Sequence, residues 1–409
     1  MSANVHAAGG PSRAEVIANL RYEPVAVVGT ATGVVGAILV VLGVIGFAMG
    51  IMRGDAATVW EAYLVGLLYF TGVAQGAMVA SAAYYLTQAR WAGTTQYRLA
   101  EAFLPFLWVG FALFWGLFFG RAVIFPWVLH PIAHKAAYLN TPFLFLRDGL
   151  GFFLLALMST ILVRFSRGDK ARMWILSPET IDFPPPIIWR VGPALAIGYV
   201  FIYSMFGIDL VMSLAPVWRS TLFGWFFLAG AFWSGVVAMA FCAVLLRGRL
   251  KPGNTFTKPK VLHDLGKFVF AFSVFWVYLL FSQYIVIWYG DLPVETFFIV
   301  QRVHHMPWSP LSLACAIMIF VIPFIVLMSV KAKQTPAILG GVAFVGLIGM
   351  WLERYVLVVP SLSLDAIPFG LTQLLITLGF LGAFILCAIP GLNRVATAAS
   401  AGEPVGDDE

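Results

Sequence analysis

Residues 25–50 read VAVVGTATGVVGAILVVLGVIGFAMG, an unbroken apolar run without a charged side chain. A helix needs about 20 apolar residues to cross roughly 30 Å of bilayer hydrocarbon, so this run alone predicts a membrane-spanning helix. Working outward along the chain, nine further runs meet the same criterion, at approximately 58–86, 99–126, 142–166, 191–215, 222–247, 265–289, 309–331, 335–360 and 368–389. The fold class expected is therefore an all-α integral membrane protein of about ten transmembrane helices. Composition agrees: 61% of the 409 residues are hydrophobic and 11% charged, against roughly 25% charged in a soluble domain. A soluble fold of this composition would expose more apolar surface than water tolerates.

Arg13, Glu15, Arg21 and Glu23 precede the first run, and no small-residue cleavage site closes it. It reads as a retained helix and not a cleaved signal peptide. The segment after Pro390, rich in Ala, Gly and acids, is expected to be a short disordered tail. Eighteen of the 25 basic residues fall in segments on the side of the termini. Six (Arg53, Arg121, Lys135, Arg147, Arg219 and Arg302) fall on the other, and Arg354 lies within a span. Positive loops stay in the cytoplasm, so both termini are expected there.

Helices two to five and six to nine show hints of a duplication. Arg98 and Glu101, three apart, open the third span as Asp264 and Lys267 open the seventh. Asp209 and Glu353 stand at similar depths in the fifth and ninth.

A charge at bilayer depth costs several kcal/mol and needs a partner or a wet cavity, so the intramembrane charges are the first candidates for function. One set lies toward the outer side: Glu61, Arg121, Arg147, Asp148, Asp209, Glu353 and Arg354. The other lies toward the inner side: Arg98, Glu101, His263, Asp264 and Lys267. Between them stand Gln75, Ser81, Thr160, Ser204, Ser282, Gln283 and Gln373. Carboxylates exchange protons, hydroxyls and amides relay them, and arginines hold carboxylates ionised, so the pattern predicts two polar half-channels. The competing reading is structural, with Arg121, Glu101 and Lys267 snorkelling from helix ends and Arg147-Asp148 serving as a subunit contact.

Other chemistries find no signature. His6, His130, His134, His263, His304 and His305 are placed in the tail, in loops or before a helix, where none can ligate a buried haem. The spacing of His130 and His134 permits a metal site, but no nearby acid completes it. Cys242, Cys315 and Cys387 are isolated, without CxxC or CxxCH. No Walker, GxGxxG or HExxH motif occurs, and no nucleic-acid partner is expected.

Three stretches carry a family resemblance. The first is His263-Asp264-Leu265-Gly266-Lys267, continued by Phe275-Trp276, Phe281-Ser282-Gln283-Tyr284 and Leu292-Pro293-Val294-Glu295. The second is Asp209-Leu210-Val211-Met212-Ser213-Leu214, followed by Trp218 and Ser220-Thr221-Leu222-Phe223-Gly224. The third is Trp351-Leu352-Glu353-Arg354-Tyr355, followed by Val359-Pro360. Together they resemble the NrfD-like F subunit of bacterial alternative complex III, most closely over residues 200–360. Where that family often has a polar residue before Trp218, this chain has Val217.

The resemblance implies two NrfD-like four-helix bundles plus two flanking helices. The expected divisions are a cytoplasmic tail (1–24), a first spanning helix (25–57), bundles at 58–215 and 216–360, a tenth spanning helix (361–390) and a cytoplasmic tail (391–409). It implies a bacterial cytoplasmic membrane, and partners that include a second NrfD-like subunit, an iron–sulfur subunit and multihaem cytochrome c subunits beside lipids. This chain would scaffold a quinol-oxidising complex and conduct protons, with Glu101 and Asp264 at the inner mouth, Asp148, Asp209 and Glu353 at the outer end, and Arg147 and Arg354 beside them. It would hold no haem or metal; binding of menaquinone or ubiquinone stays open. The rival readings are a quinol-binding anchor of polysulfide-reductase type and a secondary transporter.

Overall fold

The computed structural model describes residues 26–89, 92–176, 183–250 and 253–400. The N-terminal tail 1–24, Arg90 and the acidic end Asp407-Asp408-Glu409 lie outside the described residues. Ten helices are long and apolar enough to cross a membrane: α1 (Thr30–Met52), α2 (Ala56–Leu86), α3 (Thr95–Ile124), α4 (Thr141–Ser166), α5 (Pro186–Leu214), α6 (Phe223–Arg249), α7 (Pro259–Gly290), α8 (Trp308–Val326), α9 (Pro336–Ser361) and α10 (Leu371–Ser400). No strand occurs among the described residues, as expected where every backbone polar group must be satisfied within its own segment.

Successive spans run in opposite directions. α1 and α10 pack along their length, Gly43 against Gly379, and Val28 N donates to Asn393 Oδ1 at 2.9 Å. The start of α1 and the end of α10 thus share one side of the molecule, here the terminal face; the other side is the opposite face. Helices α2 to α5 form a closed ring in which α2 meets α3, α3 meets α4, α4 meets α5 and α5 returns to α2. Helices α6 to α9 form a second ring in the same way. The rings meet chiefly where α2 lies on α6. Gly76 and Gly235 permit that contact, because a methyl on either would overlap the partner helix's backbone. All of α2's most apolar window is buried, against 22% of α1's, so α2 is the axis of the fold and α1 a peripheral helix.

Three departures from the expected elements have local causes. α7 starts at Pro259 and not near 265, so His263, Asp264 and Lys267 lie within its first turns; proline at the first helical position presets the backbone angle there. α10 continues through Pro390 to Ser400, where a disordered tail was expected. Its last turns are anchored, with Gly391 against Ala102, Asn393 bonded to Val28, and Val395, Ala396 and Ala399 buried. The third departure is an amphipathic helix, Pro293–Val303, between α7 and α8, too short for the spanning criterion.

That short helix is pinned to the second ring. Trp218 stacks on Phe298 at 3.7 Å and its indole N–H donates to Glu295 O at 3.0 Å. Arg302, read from sequence as an outer-loop charge, is buried and donates to Val356 O, Leu357 O, Phe298 O and Ser361 Oγ at 2.7–3.0 Å. The last carbonyls of a helix lack intrahelical donors and carry partial negative charge. Arg302 therefore caps the end of α9. Burial pulls its pKa well below the ordinary arginine value, and these carbonyls stand where a carboxylate partner would.

Candidate functional site

On the opposite face of the first ring, α4 delivers Arg147 and Asp148 and α5 delivers Asp209. Neighbours in a helix point about 100° apart, and Arg147 accordingly reaches across to α5. Its Nη2 and Nε donate to Asp209 Oδ2 at 2.6 and 3.0 Å, while Asp148 Oδ1 stands 3.7 Å from Nε. The guanidinium lies over Tyr138 at 4.1 Å and Phe143 at 4.6 Å. Asp148 and Asp209 are buried within hydrogen-bond reach of each other, and neither Asp148 oxygen accepts a bond from a protein donor. One guanidinium balances one carboxylate, so the trio is neutral only when a proton sits on the carboxyl pair.

On the terminal face of the same ring, Glu101 is buried at the start of α3. Ser166 Oγ donates to it, and Arg98 and Arg167 stand at 3.6 and 3.7 Å. Burial draws Arg167's pKa down and Glu101 opposes that shift.

Polar groups lead from one cluster to the other. On α4, Asp148, Ser159 and Ser166 share a single buried stripe, their spacings of 11 and 7 residues being near whole numbers of turns; the stripe is about 27 Å long at 1.5 Å per residue. Facing it, α2 carries Thr71, Gln75 and Tyr85, and α5 carries Tyr203. Gln75 Nε2 donates to Ser159 Oγ at 3.4 Å; Tyr203 lies near Thr71 and Tyr85 near Ser166, with Thr71 Oγ1 donating to Leu67 O of its own helix and neither tyrosine hydroxyl bonded to protein. Gln75 Oε1 accepts no bond from protein, the condition in which buried polar atoms recruit water.

In the second ring, Glu353 and Arg354 form a buried pair at 2.9 Å, with Arg354 Nη2 also donating to Phe227 O at 3.0 Å. Toward the terminal face the interior turns apolar. Gly346 and Gly349 pack on Trp233 and Met318, and the hydroxyls of Ser234 and Ser273 bond carbonyls of their own helices. Asp264 and Lys267, paired at 2.7 Å, lie at the terminal end with His263 and Lys333 near them.

Glu353 also faces a cavity of about 490 Å³ that opens on the flank between α7 and α8. Phe226, Trp276, Phe281 and Phe298 wall it, and Arg302 and Gln283 line it. Gln283 Oε1 is buried without a hydrogen bond.

The structure thus joins Arg147, Asp148 and Asp209 in one cluster, and Glu353 with Arg354 in another. Glu101 and Asp264 occupy separate clusters on the terminal face. Arg121 joins none: its Nη1 donates to Phe118 O and its guanidinium lies on the Phe118 ring. Glu61 is buried and bound by Ser363 Oγ at 2.9 Å. Sequence reasoning missed Arg302, Tyr85 and Tyr203; for Arg302 the available signal was its place in the last turn of an amphipathic helix. No cluster of three or more His, Cys, Asp or Glu side chains suited to a metal occurs among the described residues.

Two helix rings carrying paired charges within the bilayer define a multi-pass membrane protein built around buried ion pairs. The family described as "Polysulphide reductase, NrfD" matches residues 52–364, and the chain belongs to that family. No curated protein matches the chain. NrfD proteins are membrane subunits of polysulfide-reductase-like complexes, partnered by iron–sulfur and cytochrome subunits.

Proposed function

We propose that this chain is the F-type membrane subunit of a bacterial alternative complex III, one that scaffolds its redox partners and conducts protons through its first helix ring. The observation that supports the reading is the buried polar line from Glu101 and Ser166 through Tyr85, Ser159, Gln75, Thr71 and Tyr203 to Asp148 and Asp209. A proton enters at Glu101, moves along hydroxyls, amide and recruited water, and rests on the Asp148–Asp209 pair beside Arg147. In this reading the units are the two four-helix bundles, 58–215 and 216–360, the membrane is the bacterial cytoplasmic one, and both termini face the cytoplasm. Gentle extraction of the tagged chain tests it, with mass spectrometry and a haem spectrum of what accompanies it. Recovery of an iron–sulfur subunit, a multihaem cytochrome and a second NrfD-like chain is expected; a colourless lone chain would refute the assignment.

A second reading, a quinol-binding anchor of polysulfide-reductase type, draws on the flank cavity with Glu353 at its wall. Its aromatic lining suits a flat ring, and Glu353 and Gln283 offer acceptors for hydroxyl protons. Glu353→Gln should then slow quinol oxidation at least tenfold while leaving protons moved per electron unchanged. An unaltered oxidation rate would remove this reading.

A further inference from the structure

A cleft of about 900 Å³ lies at the opposite face, where the first ring meets α7. It borders the cavity beside Glu353, with Gln283 lining both, and Tyr138 of its wall lies under the Arg147 guanidinium. Ile208, Met212, Val286 and Ile287 give it apolar lining. Its rim carries Lys135, Arg219 and His134 on one side and Ser220 and Thr221 beside them, with Glu295 as the one carboxylate in the lining.

The two cations are close, and no ion pair to either is found among the described residues. Lys135 Nζ donates to Pro216 O, and its pKa is drawn below the ordinary lysine value by burial and then by Arg219. Two neighbouring cations held without a counterion repel, and an anion placed between them relieves that repulsion. A small free anion would meet the cations but leave the apolar lining of the cleft unused, whereas a molecule with both an anionic head and an apolar chain meets both. Val286 is two-thirds exposed and Ile208 half-buried beside it.

We propose that this cleft binds one anionic phospholipid, with its phosphate between Lys135 and Arg219 and an acyl chain along Ile208, Met212 and Val286. The hydroxyls of Ser220 and Thr221 stand at the level of the glycerol esters, whose carbonyls accept hydrogen bonds. A zwitterionic lipid has the same phosphate but brings an ammonium group to a rim that already carries two cations, so the site discriminates by headgroup charge. The lipid would also join the first ring to α7 on the face where α5 ends.

Native mass spectrometry of the full chain in detergent tests this, with titration of phosphatidylglycerol, phosphatidylcholine and inorganic phosphate. The wild type should retain one phosphatidylglycerol, resist its exchange for phosphatidylcholine, and keep it in excess phosphate. The double variant Lys135→Gln/Arg219→Gln should bind it at least tenfold more weakly, as should Val286→Trp, which fills the apolar wall without touching charge. Arg53→Gln, which removes a cation elsewhere on the same face, should bind as wild type. Equal retention by the double variant and wild type would overturn the proposal. So would equal binding of phosphatidylcholine, or displacement by inorganic phosphate, which would mark a plain anion site. If the double variant binds lipid normally but loses a partner subunit from the complex, the cleft is a protein contact and the proposal fails.

Discussion

The two helix rings carry similar charges at their ends but differ in what lies between. In the first, polar side chains recur across about 27 Å of helix, from Glu101 and Ser166 through Ser159 and Gln75 to Asp148 and Asp209. In the second, Glu353 and Asp264 are separated by an apolar interior where glycines admit Trp233 and Met318, and the serines present bond their own helices. Matching charges at the two ends of a bundle therefore do not imply a path between them. What distinguishes the first ring is a bond between side chains of different helices at mid-depth, Gln75 to Ser159, although Thr71 there donates to Leu67 O of its own helix.

The strongest way to break this comparison is at the cluster that holds it. Arg147→Ala would strand two buried carboxyls without a cation, and loss of one partner from a buried pair typically costs about 3–5 kcal/mol. Thermal unfolding of the purified protein should show a large loss. A melting temperature equal to wild type would mean that Asp148 and Asp209 are not held as the ion-paired cluster seen here.

A matched pair of substitutions sharpens the contrast. Gln75→Leu removes the amide that meets Ser159 and should cut proton flux about tenfold, corresponding to roughly 1.4 kcal/mol in barrier. Ser273→Ala, in the dry interior of the second ring, should leave that flux unchanged. Equal effects from both, measured as proton release from reconstituted vesicles, would erase the distinction between the rings. A separate effect, on stability and not on flux, is expected at the cap of α9. Arg302→Lys keeps the charge but loses the planar fork that reaches both Val356 O and Leu357 O. It should lower stability by about 1–2 kcal/mol, since hydrogen bonds to charged groups contribute about 1.5–3 kcal/mol; unchanged unfolding would show the cap to be dispensable.

Much of this architecture is legible in sequence because the bilayer is a stringent solvent. Hydrocarbon thickness fixes span length, so all ten spans stand out as apolar runs, and charge at depth is costly enough to mark Glu101, Asp148, Asp209, Glu353 and Arg354 as candidates. Partner choice is less legible. Arg147 adjoins Asp148 in sequence yet bonds Asp209 on another helix, whereas Arg354 does pair with its neighbour Glu353; helix packing decides, and spacing along one chain does not encode it. Tyr85 and Tyr203 escaped notice because tyrosine in a span is ordinary until its hydroxyl is seen beside another polar group. Arg302 was hidden by lying between spans, where a charge looks solvated. Pro390 read as a helix stop because proline disrupts helices in water, but packing against Ala102 and Val28 carries α10 past it.

The most direct test of a proton route confined to the first ring is the Asp209→Asn variant of the intact complex, reconstituted in vesicles and followed for protons released per electron transferred. The substitution keeps size and an acceptor for Arg147 but removes one of the two carboxyls proposed to hold the proton. An assembled complex that oxidises quinol with fewer protons per electron than wild type is expected. A proton-to-electron ratio equal to wild type, in a complex of normal subunit content, would contradict it.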